Sequence, residues 1–161
     1  MGSILESLGW KAEWTIEKFK KDAKKPYAVE KFEGNLGLQE GRAELIDLIC
    51  GLGTPTEWDN TNANIGVGDS STAAQETDTG LLGSSKLYKA MLATYPQRSA
   101  QTAEWKSEFT DGEAEFAWEE FTVCNTNADA GVNLNRKVES KGTKGSGETW
   151  TVSLKITFNA S

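Results

Sequence analysis

Residues 148–158, ETWTVSLKITF, alternate without a break: Trp150, Val152, Leu154, Ile156 and Phe158 are large and apolar, and Thr149, Thr151, Ser153, Lys155 and Thr157 lie between them. Successive side chains of a strand point to opposite faces, so a period of two makes one greasy face and one wet one. That greasy face needs a second layer to cover it. The same period recurs at the other end of the chain, where Trp10, Ala12, Trp14 and Ile16 alternate with Lys11, Glu13, Thr15 and Glu17. In TAEWKSEF it puts Ala103, Trp105 and Phe109 on one side, and in VNLNRKVE it puts Val132, Leu134 and Val138 on one side, with Arg136 interrupting the stripe. In GEAEFAWEEFTVC the parity of Ala114, Phe116 and Trp118 changes to that of Phe121 and Val123, which predicts a bulge or bend near Glu119 and Glu120.

Turn chemistry separates these runs at TDGE (110–113), NTNADAG (125–131) and SKGTKGSGE (140–148), so Thr102 to Phe158 reads as antiparallel strands joined by hairpins. One stretch has the helical period instead: EGRAELIDLICGLG carries Ala43, Leu45, Ile46, Ile49 and Cys50, with Gly51 and Gly53 placed to end it. KLYKAML at 86–92 fits either period and reads as a strand because Tyr95-Pro96 closes it soon after. The predicted class is mainly β: an antiparallel β-sandwich or barrel-like domain with one short α-helix and an N-terminal arm. Length suits one domain, with 1–34 as an N-terminal strand and Lys-rich arm and 35–161 as the β-rich body. After its first strand the N-terminal segment reads as a strand pair or an extended arm, the easiest place to meet another chain.

The chain contains no histidine, which excludes Ser–His–Asp and Cys–His nucleophile systems and histidine-ligated zinc or iron. A net charge of −7 gives a field that repels nucleic acid and anionic lipid. The basic cluster Lys18, Lys20, Lys21, Lys24 and Lys25 reads as a solvated run able to touch an acidic partner locally. Cys50 and Cys124, beside Ile49 and Val123, read as buried free thiols. No targeting signal and no membrane-length apolar run is seen, so a soluble protein made in a cytoplasm is expected.

Four motifs invite chemistry and are weighed against plainer readings. IGVGDSSTAAQETDTGLLGSSK (65–86) is rich in glycine and hydroxyls, but Gly66 and Gly68 are followed by Asp69 and no nearby base, Ser71 replaces the third glycine of a dinucleotide fingerprint, and Gly80 and Gly83 reach Lys86 only after two serines. It reads as a strand, Asn64 to Val67, running into a long surface loop near a neighbouring subunit. Glu113, Glu115, Glu119 and Glu120 could pair as acid and base on a glycoside, with Glu113 and Glu115 sharing a strand face, yet alternating charge is also the ordinary polar side of a strand. NTNANIG (60–66) and NTNADAG (125–131) resemble calcium loops but lack the first Asp and the closing Glu, and carry the glycine one place late. Among the tryptophans, Trp10, Trp14, Trp105, Trp118 and Trp150 fall on apolar parities, and Trp58 sits in a turn-like context open to exposure. No catalytic, cofactor-binding or metal-ligating residue is assigned.

Taken together, NANIGVGDSSTAAQETDTGLLGSSKLYKAM, YPQRSAQTAEWKSEF, EAEFAWEEFTV and LNRKVESKGTKGSGETWTVSLKITF resemble a recurring virion structural protein of tailed double-stranded DNA bacteriophages, from about Asn35 to Phe158. The resemblance implies a non-enzymatic capsid decoration, or cement, protein: β-rich, trimeric, without a cofactor, bound to the major capsid protein on the outside of the head, and not to nucleic acid or membrane. The alternative is a tail or head-fibre component that recognises the host surface, with Trp58 and the loops at 125–131 and 140–148 as contact sites. No individual functional residue carries over from the likeness.

Overall fold

The computed structural model describes residues 8–160, with side chains from 9 to 159. Ten strands and one helix follow in order among them: β1 (Leu8–Lys20), β2 (Ala28–Glu33), β3 (Leu36–Gly37), α1 (Gln39–Cys50), β4 (Asn64–Gly68), β5 (Lys86–Ala90), β6 (Gln97–Ser99), β7 (Thr102–Phe109), β8 (Glu120–Cys124), β9 (Asn135–Val138) and β10 (Glu148–Ala160). They form two antiparallel five-stranded sheets, ordered β2-β1-β10-β7-β6 and β3-β9-β8-β4-β5. This is the mainly β, sandwich-like domain with one short helix that the periodicity predicts.

The two strongest alternating runs find each other. β1 and β10 pair along all 13 residues, placing Trp10 opposite Phe158, Trp14 opposite Leu154 and Ile16 opposite Val152. Pairing on one parity makes a continuous apolar face across the sheet, and Trp105 and Phe109 of β7 extend it. Ile65, Val67, Phe121, Val123 and Leu134 close over it from the second sheet, and Trp118 stacks edge-on to Phe109 and Trp150 at centroid distances of 4.9 and 4.7 Å.

Connections differ from the expected run of hairpins. β7 lies in the first sheet, β8 and β9 in the second, and β10 again in the first, so within this run only β8–β9 are consecutive, paired strands. Residues 111–119, of which 114–119 read as part of a strand, are irregular and touch the sheet system through a bridge between Ala117 and Thr143. At Glu119 and Glu120, where a bulge or bend within a strand was expected, β8 instead begins, and a bulge lies on the facing chain. Phe121 pairs with Lys137 but Cys124 with Asn133, so three steps along β8 oppose four along the β9 side. The extra residue turns Arg136 away from the core that Leu134 enters, which is why Arg136 interrupts the stripe.

Of the two readings of the N-terminal segment, a strand pair or an extended arm, the structure has the strand pair, woven into the first sheet because β1 pairs with both β10 and β2. Residues 1–7 lie outside the described residues. α1 ends as expected at Gly51, which is left-handed at φ 64°. Its orientation is not the expected one: Leu45 and Leu48 pack on the core, and Ile46, Ile49 and Cys50 face outward. Gly41 decides this, because a Cβ there would sit 2.6 Å from the Leu134 backbone, so the helix presses that side against the β9 chain.

Candidate functional site

The most elaborate side-chain constellation lies on the outer face of the second sheet, beneath the segment 69–85. Alternation along β4 and β8 sends Ile65, Val67, Phe121 and Val123 into the sandwich, and Gly66, Gly68, Glu120 and Thr122 the other way. Both faces of β8 are buried, because residues 69–85 cross as a strap. Glu120 is fully buried, with Arg136 Nε at 2.8 Å and Nη2 at 2.7 Å from its carboxylate. The strap adds two backbone donors to the same group, Leu82 N–H at 3.0 Å and Gly83 N–H at 2.7 Å. Arg136, also fully buried, donates in turn to Asp78 at 3.0 Å and to the Thr72 carbonyl at 3.0 Å. A buried charge pair with its lone pairs and N–H groups filled is the arrangement that low dielectric tolerates.

The glycines of the sequence motif take their meaning here. A Cβ on Gly66 would meet the Tyr88 ring at 2.6 Å and Thr122 Cγ2 at 2.8 Å, and one on Gly68 would strike the Glu120 carboxylate. The run is thus a strand with room for a polar layer above it. The strap is tied where its ends meet and again near its middle: Asp69 accepts from Ser85 N–H at 3.0 Å, an interaction that holds its carboxyl below the usual range, and Arg42 of α1 pairs with Glu76 at 2.6 Å. It is the long surface loop after a strand that the sequence suggests, and it is strapped down. The hydroxyl of Tyr88 donates to Asp129, and burial pushes it far above its ordinary pKa.

The four clustered glutamates do not converge. Glu120 belongs to the ion network just described. Glu113 pairs with Lys89 at 2.5 Å and accepts from Thr110 N–H at 2.8 Å; burial would raise its pKa, but these two donors outweigh it and leave the carboxyl below the ordinary value. Glu115 accepts from Gly112 N–H at 3.0 Å, and Glu119 accepts from the Ser140 hydroxyl at 2.9 Å. Glu113 and Glu115 both hold the 110–113 turn, Glu119 holds Ser140 and Glu120 holds the strap, and because 111–119 is irregular, Glu113 and Glu115 share no strand face.

Other predicted positions also change. Trp58 is buried at 6% exposure, and its carbonyl accepts from the Trp105 indole at 2.9 Å, so it is part of the core. Of the thiols, Cys124 is buried, which raises its pKa, but Cys50 is exposed on α1. Both Asx-rich loops are held by ordinary turn bonds: Asp59 accepts from Thr61 and Asn62 N–H groups, and Asn125 accepts from Val132 N–H while donating to the Thr56 carbonyl. Among the described residues no group of three or more His, Cys, Asp or Glu is placed to hold a metal ion.

Two lysines of apparently solvated runs are structural. Lys18 takes an inward position on β1, lies 4.1 Å from the Trp150 ring centroid, donates to the Lys141 carbonyl at 2.6 Å and pairs with Glu30. Lys144, in the 140–148 loop, is fully buried and donates to the Thr110 carbonyl at 2.8 Å, with burial lowering its pKa. Parity marks Lys18 as inward in the sequence; nothing local marks Lys144. Glu148 is the second hub, accepting from Lys20, from Tyr27 at 3.1 Å, from Gly145 N–H at 3.1 Å and from the Trp150 indole at 3.0 Å. Burial would raise its pKa, but its donors, Lys20 first, overcome that and hold the carboxyl at about 2.

Compared with protein-family models, with curated proteins and with solved structures, the chain matches none.

Proposed function

We propose that this protein is a bacteriophage capsid decoration, or cement, protein, a non-enzymatic component that binds the outer surface of the head and stabilises it through protein–protein contacts with the major capsid protein. The reading rests on the sequence resemblance over about Asn35 to Phe158, on which the strap and both sheets except β1 and β2 are built. The observation that carries it in the fold is the strap network. Arg136, Glu120 and Asp78 are used to fasten the strap, and Glu113, Glu115 and Glu119 are spent on holding loops. A scaffold of this kind presents rigid surfaces, and repeated modest contacts on a lattice add up by multivalency.

The fibre reading has less to stand on, since Trp58 is core and the 125–131 and 140–148 loops are tied down through Asn125, Asp129 and Lys144. Heat resistance of expanded shells that lack the protein, measured with and without purified protein, tests the proposal. Bound protein and a raised disruption temperature are expected; shells that neither bind it nor change would refute it.

A further inference from the structure

Two surfaces at opposite ends of the molecule are left apolar and oppositely charged. At one end, α1 exposes Ile46, Ile49 and, past its cap, Leu52; Ile49 is 82% exposed. Ile46 and Ile49 are three residues apart and form one ridge. Asp47 lies on the same helix end, the last turn holds no basic residue, and the one cation of the helix, Arg42, is engaged by Glu76. A helix C-terminus adds about half a negative charge of its own. At the other end, the turn between β1 and β2 carries Lys21, Lys24 and Lys25 against one acid, Asp22; none of the three lysines has an ion-pair partner among the described residues, and exposed Tyr27 follows them just ahead of exposed Val29 on the edge strand β2.

These surfaces cannot meet within one copy. Trp10, at the start of β1, lies against Gly37 just ahead of α1, and Glu44 of α1 accepts from Asn125 at the close of β8. Lys20, ten residues along β1, pairs with Glu148 beside the turn. Ten strand residues span roughly 33 Å.

We propose that the basic, apolar β1–β2 turn and β2 edge of one copy dock on the acidic, apolar ridge of α1 in a second copy, a heterologous head-to-tail contact. Apolar side chains supply the attraction and the opposed charges supply orientation. This inference goes beyond the decoration reading and does not depend on it, because it concerns free protein.

Sedimentation velocity on purified full-length protein tests it. The wild type should exceed the monomer mass of 17.5 kDa increasingly with concentration, and the association should weaken in high salt, which screens the lysines. Ile49→Asp removes the ridge, and the pair Lys24→Glu with Lys25→Glu removes the basic side; each variant alone should stay monomeric. Mixed one to one, they should form a dimer and nothing larger, because each retains the half that the other has lost. Near-UV circular dichroism identical to wild type establishes that both are folded. A wild type that remains monomeric, a variant that associates undiminished, or a mixture that stays monomeric would each overturn the proposal, and none of these bears on whether the protein binds shells.

Discussion

Gly66 and Glu148 show how single residues in this chain are dictated by a neighbour remote in sequence. A methyl group on Gly66 has the Tyr88 ring and Thr122 in its way, both in close-packed surroundings. Gly66→Ala should therefore cost about 1–3 kcal/mol by overpacking, against a few tenths for the same change at Gly145, where the nearest atom to a Cβ is 4.0 Å away; urea denaturation reads both. Glu148 makes a different prediction. Its carboxyl is held at about 2, below the ordinary 4.5, so the unfolded chain takes up the proton first as the solution is acidified. The stability it supplies is complete above pH 4.5 and is lost as pH falls from there through about 2. Glu148→Gln should lower stability at neutral pH by about 1–3 kcal/mol, because Lys20 and the Trp150 indole lose a charged acceptor, and should flatten the acid limb of a stability–pH curve measured by thermal melts.

At the scale of elements, what local pattern encodes was legible: β1, β7 and β10 with their inward faces from alternation, the helix and its stop at Gly51 from the helical period and a glycine, and β5 only with the help of the Tyr95-Pro96 that closes it. What depends on a third layer was not. The same glycines that resemble half a phosphate loop are the floor under the strap, and no local pattern says that residues 69–85 will fold back over β8. Arg136 shows the limit well: its parity makes it look like a fault in an apolar stripe, and only the one-residue bulge opposite β8 reveals that it faces the other way. The glutamate cluster failed as a site for a related reason, since its spacing presupposed a strand that 111–119 does not form. The strap predicts its own test. Removing one member of a buried pair strands the other, so Arg136→Met should destabilise by about 3–5 kcal/mol, read by urea denaturation. Hydrogen exchange should rise first at Leu82 and Gly83, whose N–H groups point at Glu120, and later in β1 and β10.

For the whole molecule, the division into a segment 1–34 and a body 35–161 meets a topology in which the first and last strands are neighbours. β10 sits between β1 and β7, and its 13 residues pair fully with β1. Taking away residues 1–34 removes β1 and β2 from a five-stranded sheet, opens one entire edge of β10 and strips Trp14, Ile16 and Phe32 from the core. Three losses then coincide. Trp150 loses the Lys18 cation over its ring, Phe121 loses the aromatic partners Trp14 and Phe32 at centroid distances of 5.6 and 5.3 Å, and Glu148 loses Lys20 and Tyr27. Burying one large apolar side chain is worth about 1.5–3 kcal/mol, and a domain's entire stability is about 5–15 kcal/mol, so three such side chains alone approach the whole margin. A chain beginning at Asn35 should therefore show no cooperative thermal transition and should aggregate through the uncovered β10 edge, while the full chain should melt in one step followed alike by tryptophan fluorescence and far-UV circular dichroism. If the shortened chain instead melts cooperatively with dispersed amide resonances, the first 34 residues are a detachable arm and the β1–β10 pairing is not what holds the sandwich together.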